Sequence, residues 1–286
     1  MAAPHRQRRV QRYSDPTQLK TIGVFDSGVG GLSVLRALLA EIAGARFVYL
    51  ADSSHAPYGE RHSWQVVERT QRIANALRQR HAIDALVVAC NTATALAIDS
   101  LRQHHPDLPI VGVEPALKPA AARSHSGRIG VLATRGTLQS ARFVQLRRRT
   151  ESDSARPLHF LCQPCDGLAD AIERGDLTAT QALCERYIDA LQTAAPESGP
   201  IDTLVLGCTH YPFASEQLGA LCGPAVSLIE TGTPVALRTR ALLGLAAGAS
   251  SKPAALKLLS TGDPVALTRA AQRWLANAGQ ASPLQV

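Results

Sequence analysis

Short apolar runs rich in β-branched residues alternate with Ala- and Leu-rich stretches at helical spacing from residue 22 to about residue 245. This alternation is typical of parallel α/β proteins, in which a helix connects each strand to the next. Strands are predicted at residues 22–25, 47–50, 85–89, 110–113, 129–133, 203–207 and 227–230. A last strand within residues 249–259 and an amphipathic helix within residues 261–279 are predicted to follow.

The chain contains an internal repeat. Residues 83–97 match residues 201–215, and residues 22–35 match residues 129–142 at a similar offset. Self-similarity on the scale of a domain indicates a duplicated α/β unit. Because ligands of open parallel sheets bind outside the carboxyl ends of the strands, a cleft between the two halves is the predicted binding site.

The repeat predicts two pseudo-symmetric parallel-sheet α/β domains. Residues 20–116 plus 226–286 are expected to form the first domain and residues 117–225 the second. Residues 1–19 are expected to form a flexible N-terminal extension, and residues 246–255 a second mobile segment. The cleft would then lie between the two domains.

Composition and cysteine content predict a cytoplasmic globular protein. Hydrophobic residues make up 45% of the chain, charged residues 19%, and the mean hydropathy is −0.02. The sequence has no run of about 18 apolar residues and no apolar stretch of the signal-peptide kind, so neither a membrane partner nor export is expected. Six cysteines among 286 residues are too sparse for a disulfide scaffold and are expected to be thiols.

The formal charge of +7 and the pI of about 9.4 raise the question of a nucleic-acid partner. Much of the excess lies in two short arginine clusters, within residues 6–12 and at residues 147–149. Clusters this short are typical of solvated basic surface, so nucleic acid is not expected as the main partner.

Two cysteines occupy the same place in the two repeats. Cys90 and Cys208 each follow a predicted strand directly, and residues 91–92 and 209–210 are predicted to open the next helix. The amides of a helix N-terminus favour a thiolate and so lower the pKa of a thiol. Two such thiols on opposite sides of one carbon could remove a proton from one face and return one to the other. Structural cysteines are the alternative, which the matched polar surroundings disfavour.

Four short motifs carry a resemblance to a known family. They are DSGVGGLSV at 26–34, PYG at 57–59, CNTA at 90–93 and GCTHYP at 207–212, in an order that spans about residues 22–236. The pattern resembles the glutamate racemase family within the aspartate/glutamate racemases. The resemblance implies cofactor-independent interconversion of L- and D-glutamate by two cysteines, with D-glutamate supplied for peptidoglycan synthesis.

The resemblance also implies a set of site residues. Asp26 would assist Cys90, and His210 would support Cys208. Glu173 ends a segment that resembles a family segment with a functional Glu, and a solvent-facing helix carboxylate is the other interpretation of this residue. The substrate-binding residues are expected to be Asp26, Ser27, Tyr58, Gly59, Asn91, Thr92, Thr209 and His210.

The sequence predicts neither a cofactor nor a metal. The glycines of residues 28–31 lack the GxGxxG spacing of a dinucleotide site. Cys162 and Cys165 form a lone CxxC without the second ligand pair of a zinc site. Only four lysines are present, and Lys118, the nearest candidate for a pyridoxal phosphate site, has no accompanying phosphate loop.

Two other functions remain open. An aspartate or hydantoin racemase would share both cysteines and differ in how the side chain fits. An amino-acid-binding protein on this scaffold would keep Asn91 and Thr209 without needing both thiols. Family precedent adds three further hypotheses, namely a DNA- or gyrase-binding side role of the basic N-terminal segment, activation by a nucleotide-linked cell-wall precursor through residues 1–20, and a homodimer.

Overall fold

The computed structural model of the chain describes residues 19–194, 199–245, 255–275 and 278–286. The predicted N-terminal extension, apart from residue 19, and residues 246–254 of the predicted mobile segment lie outside the described residues. The strands are β1 Thr21–Asp26, β2 Arg46–Ala51, β3 Ala85–Val88, β4 Ile110–Gly112, β5 Arg128–Ala133, β6 His159–Pro164, β7 Thr203–Leu206, β8 Ser227–Ile229, β9 Ala255–Ser260 and β10 Ala281–Pro283.

Helices connect these strands. The α-helices are α1 Leu32–Glu41, α2 Ser63–His81, α3 Asn91–His104, α4 Leu117–Arg123, α5 Arg135–Gln139, α6 Ala141–Ser152, α7 Leu168–Arg174, α8 Leu177–Thr193, α9 Ser215–Cys222, α10 Gly232–Leu242 and α11 Pro264–Trp274. Short 3-10 helices span Ser53–His55, Tyr58–Glu60 and Tyr211–Ala214. No helix in the described ranges is both long and apolar enough to cross a membrane.

Two parallel sheets confirm the α/β prediction and the internal repeat. The first has the strand order β10-β9-β2-β1-β3-β4 and the second the order β6-β5-β7-β8. The strands β2-β1-β3-β4 therefore correspond to β6-β5-β7-β8. Register agrees as well, since Ile22 pairs with Ala85 in the first sheet and the matching residues Ile129 and Thr203 pair in the second. The repeat is thus a duplicated four-strand unit, to which β9 and β10 are added at the β2 edge.

The central strands were recognisable because helices cover both faces of each sheet. Val24 of β1 belongs to one core cluster together with Leu35 of α1, and the next residue, Phe25, belongs to the cluster on the opposite face with Leu77 of α2. A strand buried on both faces is a continuous apolar run rather than an alternating one. Because β1 and β3 pair in parallel, their carboxyl ends lie at one edge of the sheet.

The second domain extends beyond its predicted boundary at residue 225. Strand β8 pairs in parallel with β7 of the second sheet, and only then does α10 return to pack on α1. The boundary was placed one strand too early because a three-residue strand with half-buried side chains does not show which sheet it joins. We propose that the second domain spans residues 117–230.

The segment after Cys208 differs from the predicted α-helix. Residues 209–210 form a turn that leads into the 3-10 helix Tyr211–Ala214, and α9 begins only at Ser215. Pro212 has no N–H to donate to the carbonyl four residues back, so the chain closes i to i−3 hydrogen bonds instead, from Tyr211 N to Cys208 O at 3.1 Å and from Phe213 N to His210 O at 3.0 Å. The matching segment after Cys90 does open an α-helix, α3.

Candidate active site

A cleft lies where the carboxyl ends of β1 and β3 of the first sheet meet those of β5 and β7 of the second. Its volume is about 490 Å³, including space open to solvent. Nearly all the side chains predicted to bind substrate line it, together with both predicted cysteines. The lining residues are Ser27, Pro57, Tyr58, Gly59, Glu60, Cys90, Asn91, Thr92, Thr134, Cys165, Asp166, Gly167, Ala169, Cys208, Thr209 and His210.

Cys90 stands at the start of α3 on the first-domain side of the cleft. Its Sγ caps the helix by accepting a hydrogen bond from Ala93 N at 3.5 Å, and it lies 3.8 Å from Ser27 Oγ. Burial and the nearby charge of Asp26 nevertheless raise the pKa of the Cys90 thiol well above its ordinary value, outweighing the helix amide. The lowered pKa predicted from the helix N-terminus is therefore wrong for Cys90, because sequence does not show desolvation.

Cys208 has a different partner on the second-domain side. His210 Nδ1 lies 3.7 Å from Cys208 Sγ, and His210 Nε2 lies 2.6 Å from Glu173 Oε2. Burial lowers the pKa of His210, but its hydrogen bonds to Cys208 and Glu173 outweigh burial and raise that pKa well above the usual value. The imidazole of His210 is therefore held between the sulfur of Cys208 and the carboxylate of Glu173.

Glu173 belongs to this site rather than to a solvent-facing helix surface. Its side chain, on α7 of the second domain, is only 17% exposed and accepts hydrogen bonds from Val29 N of the first domain, at 3.1 Å to Oε1 and 2.8 Å to Oε2. Glu173 thus ties the loop after β1 to His210. Sequence left two interpretations of Glu173 open because this contact joins residues 144 positions apart.

Asp26 is fully buried at the end of β1. Its Oδ2 accepts hydrogen bonds from Gly28 N at 3.1 Å and Gly31 N at 3.0 Å, and its Oδ1 accepts one from Thr209 Oγ1 at 3.4 Å. Burial raises the pKa of Asp26 to about 6, although His210 and the two amides lower it. Asp26 can therefore gain or lose a proton close to neutral pH while it joins the two domains.

Asp26 is expected to make stability depend on pH. Its pKa is raised from 3.8 to about 6, so its contribution to stability is fully present below about pH 3.8 and lost as the pH rises through about 6. The loss is on the order of 3 kcal/mol, since each pKa unit corresponds to about 1.4 kcal/mol. Urea unfolding at a series of pH values should show this loss in the wild type and its absence in Asp26→Asn, and parallel profiles for the two proteins would contradict it.

The glycines of the loop after β1 make room for two side chains of the second domain, Glu173 and His210. A Cβ at Gly28 would overlap the carboxylate of Glu173, and a Cβ at Gly30 would overlap the imidazole of His210. Tyr49 and Ser33 hold the same loop, through hydrogen bonds from Tyr49 Oη to Gly28 O at 2.6 Å and from Ser33 Oγ to Gly30 O at 2.8 Å. The groups that approach these glycines most closely therefore belong to the protein itself.

Alanine at Gly28 or Gly30 is expected to displace Glu173 or His210 and to lower turnover about 100-fold, since a shift of about 1 Å at a reacting group costs that much. Gly219→Ala on α9 is the matched control, because its added Cβ would have no neighbour closer than 3.7 Å. Steady-state kinetics on the three variants would check this. Near-normal activity of Gly28→Ala and Gly30→Ala would show that turnover does not depend on the positions of Glu173 and His210 against this loop.

Asn91 and Thr92 open α3 inside the cleft. Asn91 is 3% exposed, and neither its Nδ2 nor its Oδ1 has a hydrogen-bond partner among the described residues. A buried amide without partners is costly unless a ligand satisfies it. Thr92 Oγ1 shares a hydrogen bond of 3.1 Å with Thr134 Oγ1 across the domain interface.

Thr134 is a cleft residue that the sequence prediction missed. It caps α5 through its Oγ1, which accepts a hydrogen bond from Thr137 N at 3.3 Å. A signal for it existed, because the match of residues 22–35 with 129–142 aligns Thr134 with Ser27. The same alignment places Ala133 opposite Asp26, so the buried carboxylate occurs in only one half of the repeat.

Tyr58 and Gly59 form one wall of the cleft in the 3-10 helix after the cis Ala56–Pro57 bond. The Tyr58 hydroxyl donates to Asp52 Oδ2 at 2.6 Å, and Asp52 is not among the residues that line the cleft. Burial and Asp52 raise the pKa of Tyr58, so this hydroxyl remains a donor. The hydroxyl of Tyr58 is therefore engaged with Asp52 although the residue lines the cleft.

The residues weighed for metal or cofactor binding do not converge. Cys165 lines the cleft in one core cluster, and Cys162 packs against a different cluster on the other face of the sheet. Lys118 is exposed and pairs with Asp153 at 3.1 Å, away from the cleft.

The fold and the cleft define an α/β protein whose two parallel-sheet domains hold two thiols at equivalent strand ends. The chain belongs to the Asp/Glu/Hydantoin racemase family, whose model matches residues 22–238. Members of this family are racemases and therefore isomerases.

Glutamate racemases are among the known proteins to which this chain is similar. One from Pseudomonas paraeruginosa is 48% identical over 240 residues, 81% of this chain and 86% of that protein. The crystal structure of a glutamate racemase isoform from Bacillus anthracis superposes with a TM-score of 0.79 at 27% identity, covering 93% of this chain and 98% of that one. Escherichia coli glutamate racemase, in complex with L-glutamate and the activator UDP-MurNAc-Ala, superposes with a TM-score of 0.70 at 31% identity, covering 90% and 96%.

Proposed function

We propose that this chain interconverts L- and D-glutamate by a cofactor-independent mechanism with two cysteines. The observation that carries the proposal is the placement of Cys90 and Cys208 at equivalent strand ends in one cleft, each with an ionisable side chain that acts on its sulfur. The partner of Cys90 is Asp26, whose charge acts on the thiol, and the partner of Cys208 is His210. The similarity to glutamate racemases over four fifths of the chain supports glutamate as the substrate.

In this mechanism one thiolate removes the α-proton and the opposite thiol donates a proton to the other face. Asp26, with a pKa near 6, is suited to take the proton that Cys90 must lose before it acts as base. His210, kept cationic by Glu173, is suited to supply a proton to Cys208 Sγ. The handedness of the substrate then decides which thiol is base and which is acid.

Substrate recognition rests on neutral donors from both domains. Ser27, Asn91 and Thr92 approach from the first domain, and Thr134 and Thr209 from the second. Hydroxyl and amide groups on both sides suit a substrate with two carboxylates, and the unpartnered Asn91 amide is the best placed to bind one. Such donors also stabilise the negative charge that develops when the α-proton leaves.

A substrate panel tests the proposal. Loss of optical rotation would be followed from L- and D-glutamate, L- and D-aspartate and a 5-substituted hydantoin, with no added cofactor. Turnover of both glutamate enantiomers, well above that of the other compounds, is expected. Faster turnover of aspartate or the hydantoin would show that this compound, and not glutamate, is the substrate. Tight glutamate binding without turnover would favour an amino-acid-binding protein.

The cellular role follows from the proposed product. D-glutamate would enter peptidoglycan synthesis, and a cytoplasmic location would keep both active thiols reduced. The activator named for the Escherichia coli structure supports the hypothesis that UDP-MurNAc-Ala raises activity here too. That hypothesis and the homodimer remain predictions, and kinetics with and without the precursor would test the first.

A further inference from the structure

The carboxylate of Asp52 lies at the end of β2, just outside the cleft, and is fully buried. Its Oδ2 accepts hydrogen bonds from Tyr58 Oη at 2.6 Å and Arg69 Nε at 3.1 Å. Its Oδ1 accepts hydrogen bonds from Arg69 Nη2 and Thr261 Oγ1, both at 2.7 Å. A buried carboxylate is costly unless its charge is paired and its lone pairs are filled, so this arrangement resists displacement. Asp52 thus links three separate elements of the fold through its hydrogen bonds.

Those elements include the wall of the cleft. Arg69 comes from α2, Thr261 follows β9, and Tyr58 belongs to the 3-10 helix Tyr58–Glu60. Gly59 in the same short helix lies so close to the second domain that a Cβ on it would be 3.0 Å from Thr134 Cβ. The position of Tyr58 therefore sets how close the 3-10 helix Tyr58–Glu60, which forms the wall of the cleft, lies to Thr134 of the second domain.

The two strands outside the repeat, β9 and β10, support Asp52 and Arg69. Thr261 N donates to Ala51 O of β2 at 3.0 Å, and Arg69 Nη1 donates to Val286 O, beyond β10, at 3.0 Å. The second sheet has no counterpart of β9 or β10 among the described residues. The segments that follow these additional strands therefore hold Asp52 and Arg69 through hydrogen bonds of Thr261 and Val286.

We propose that Asp52 is a positioning residue of the substrate site, which holds the Tyr58–Glu60 wall in place through its hydrogen bond to Tyr58 and its ion pair with Arg69. Asp52 does not line the cleft, so it acts on substrate binding only through Tyr58 and Gly59. The inference rests on the proposed function, because it assigns the wall to glutamate binding.

The test compares Asp52→Asn, Tyr58→Phe and the double variant in steady-state kinetics with both glutamate enantiomers. Each single change is expected to raise KM about tenfold, because removing a hydrogen bond to a charged group typically weakens binding by at least that factor. The value of kcat should stay within about threefold of wild type. The double variant should match the more affected single variant, because both changes break the same link. Tyr58→Phe leaves Asp52 and Arg69 paired, so it decides the question if Asp52→Asn does not fold.

Asp84→Asn is the matched control. Asp84 accepts hydrogen bonds from Lys20 Nζ at 3.0 Å and Thr21 N at 2.8 Å at the opposite end of the same sheet, so its loss should lower the melting temperature without changing KM. An unchanged KM in Tyr58→Phe, or additive effects in the double variant, would overturn the inference. A wild type that turns over aspartate but not glutamate would instead overturn the proposed substrate, and the same comparison would then be made with aspartate.

Discussion

Alanine in place of either Cys90 or Cys208 is expected to lower racemisation of both glutamate enantiomers by about 1,000-fold or more. The reason is that each turnover needs a base on one face of the α-carbon and an acid on the other, and a positioned acid or base contributes about 100- to 10,000-fold. Neither thiol can replace the other, because they approach from different domains. Loss of optical rotation, started separately from L- and D-glutamate, would measure the effect.

Cys222→Ala is the matched control for the two thiols. Cys222 is a half-buried free cysteine at the end of α9 and does not line the cleft. Its replacement should leave activity close to that of wild type. A Cys90→Ala or Cys208→Ala enzyme within tenfold of wild type would contradict the proposed mechanism.

Asparagine in place of His210 is expected to lower kcat/KM about 100-fold, and glutamine in place of Glu173 about tenfold. His210→Asn removes the cation beside Cys208 Sγ, whereas Glu173→Gln keeps a hydrogen-bond acceptor for Val29 N and removes only the charge that raises the pKa of His210. The smaller effect of Glu173→Gln follows because Glu173 acts on the thiol through His210. Steady-state kinetics in both directions would measure both losses.

The two directions provide an internal check on these variants. L- and D-glutamate have equal free energies, so kcat/KM must fall equally in both directions, while kcat and KM can change separately. Glu216→Gln, an exposed carboxylate in the first turn of α9, is the matched control and should behave like wild type. A Glu173→Gln loss no larger than that of Glu216→Gln would show that the contact with His210 has no role in turnover.

Much of the fold could be predicted because its central strands are buried on both faces. β1, β3, β5 and β7 are continuous apolar runs, and the repeat in the sequence corresponds to an equal register in the two sheets. The edges were harder to predict. β6 is exposed or half-buried throughout and β10 has three residues, so neither gives a strong apolar pattern.

The chemistry of the cleft could be predicted as far as local sequence reaches. The cysteines and their neighbours stand in short motifs, and the structure places them in one cleft. The contact of Glu173 with Val29 and the burial of Asp52 depend on distant segments, and no local pattern shows them. The prediction of a lowered pKa for Cys90 was wrong for the same reason, since that pKa depends on desolvation by the folded protein.

Hydrogen exchange during turnover distinguishes two bases from one. Wild-type enzyme would be incubated with L-glutamate in D₂O without cofactor, and the deuterium content at Cα of both enantiomers would be followed by mass spectrometry after chiral separation. We expect the first D-glutamate formed to carry deuterium while the remaining L-glutamate keeps its hydrogen, because the donating thiol exchanges with solvent before it reacts. D-glutamate that retains the hydrogen of the substrate would show that a single group moves the proton, and would contradict the two-cysteine mechanism.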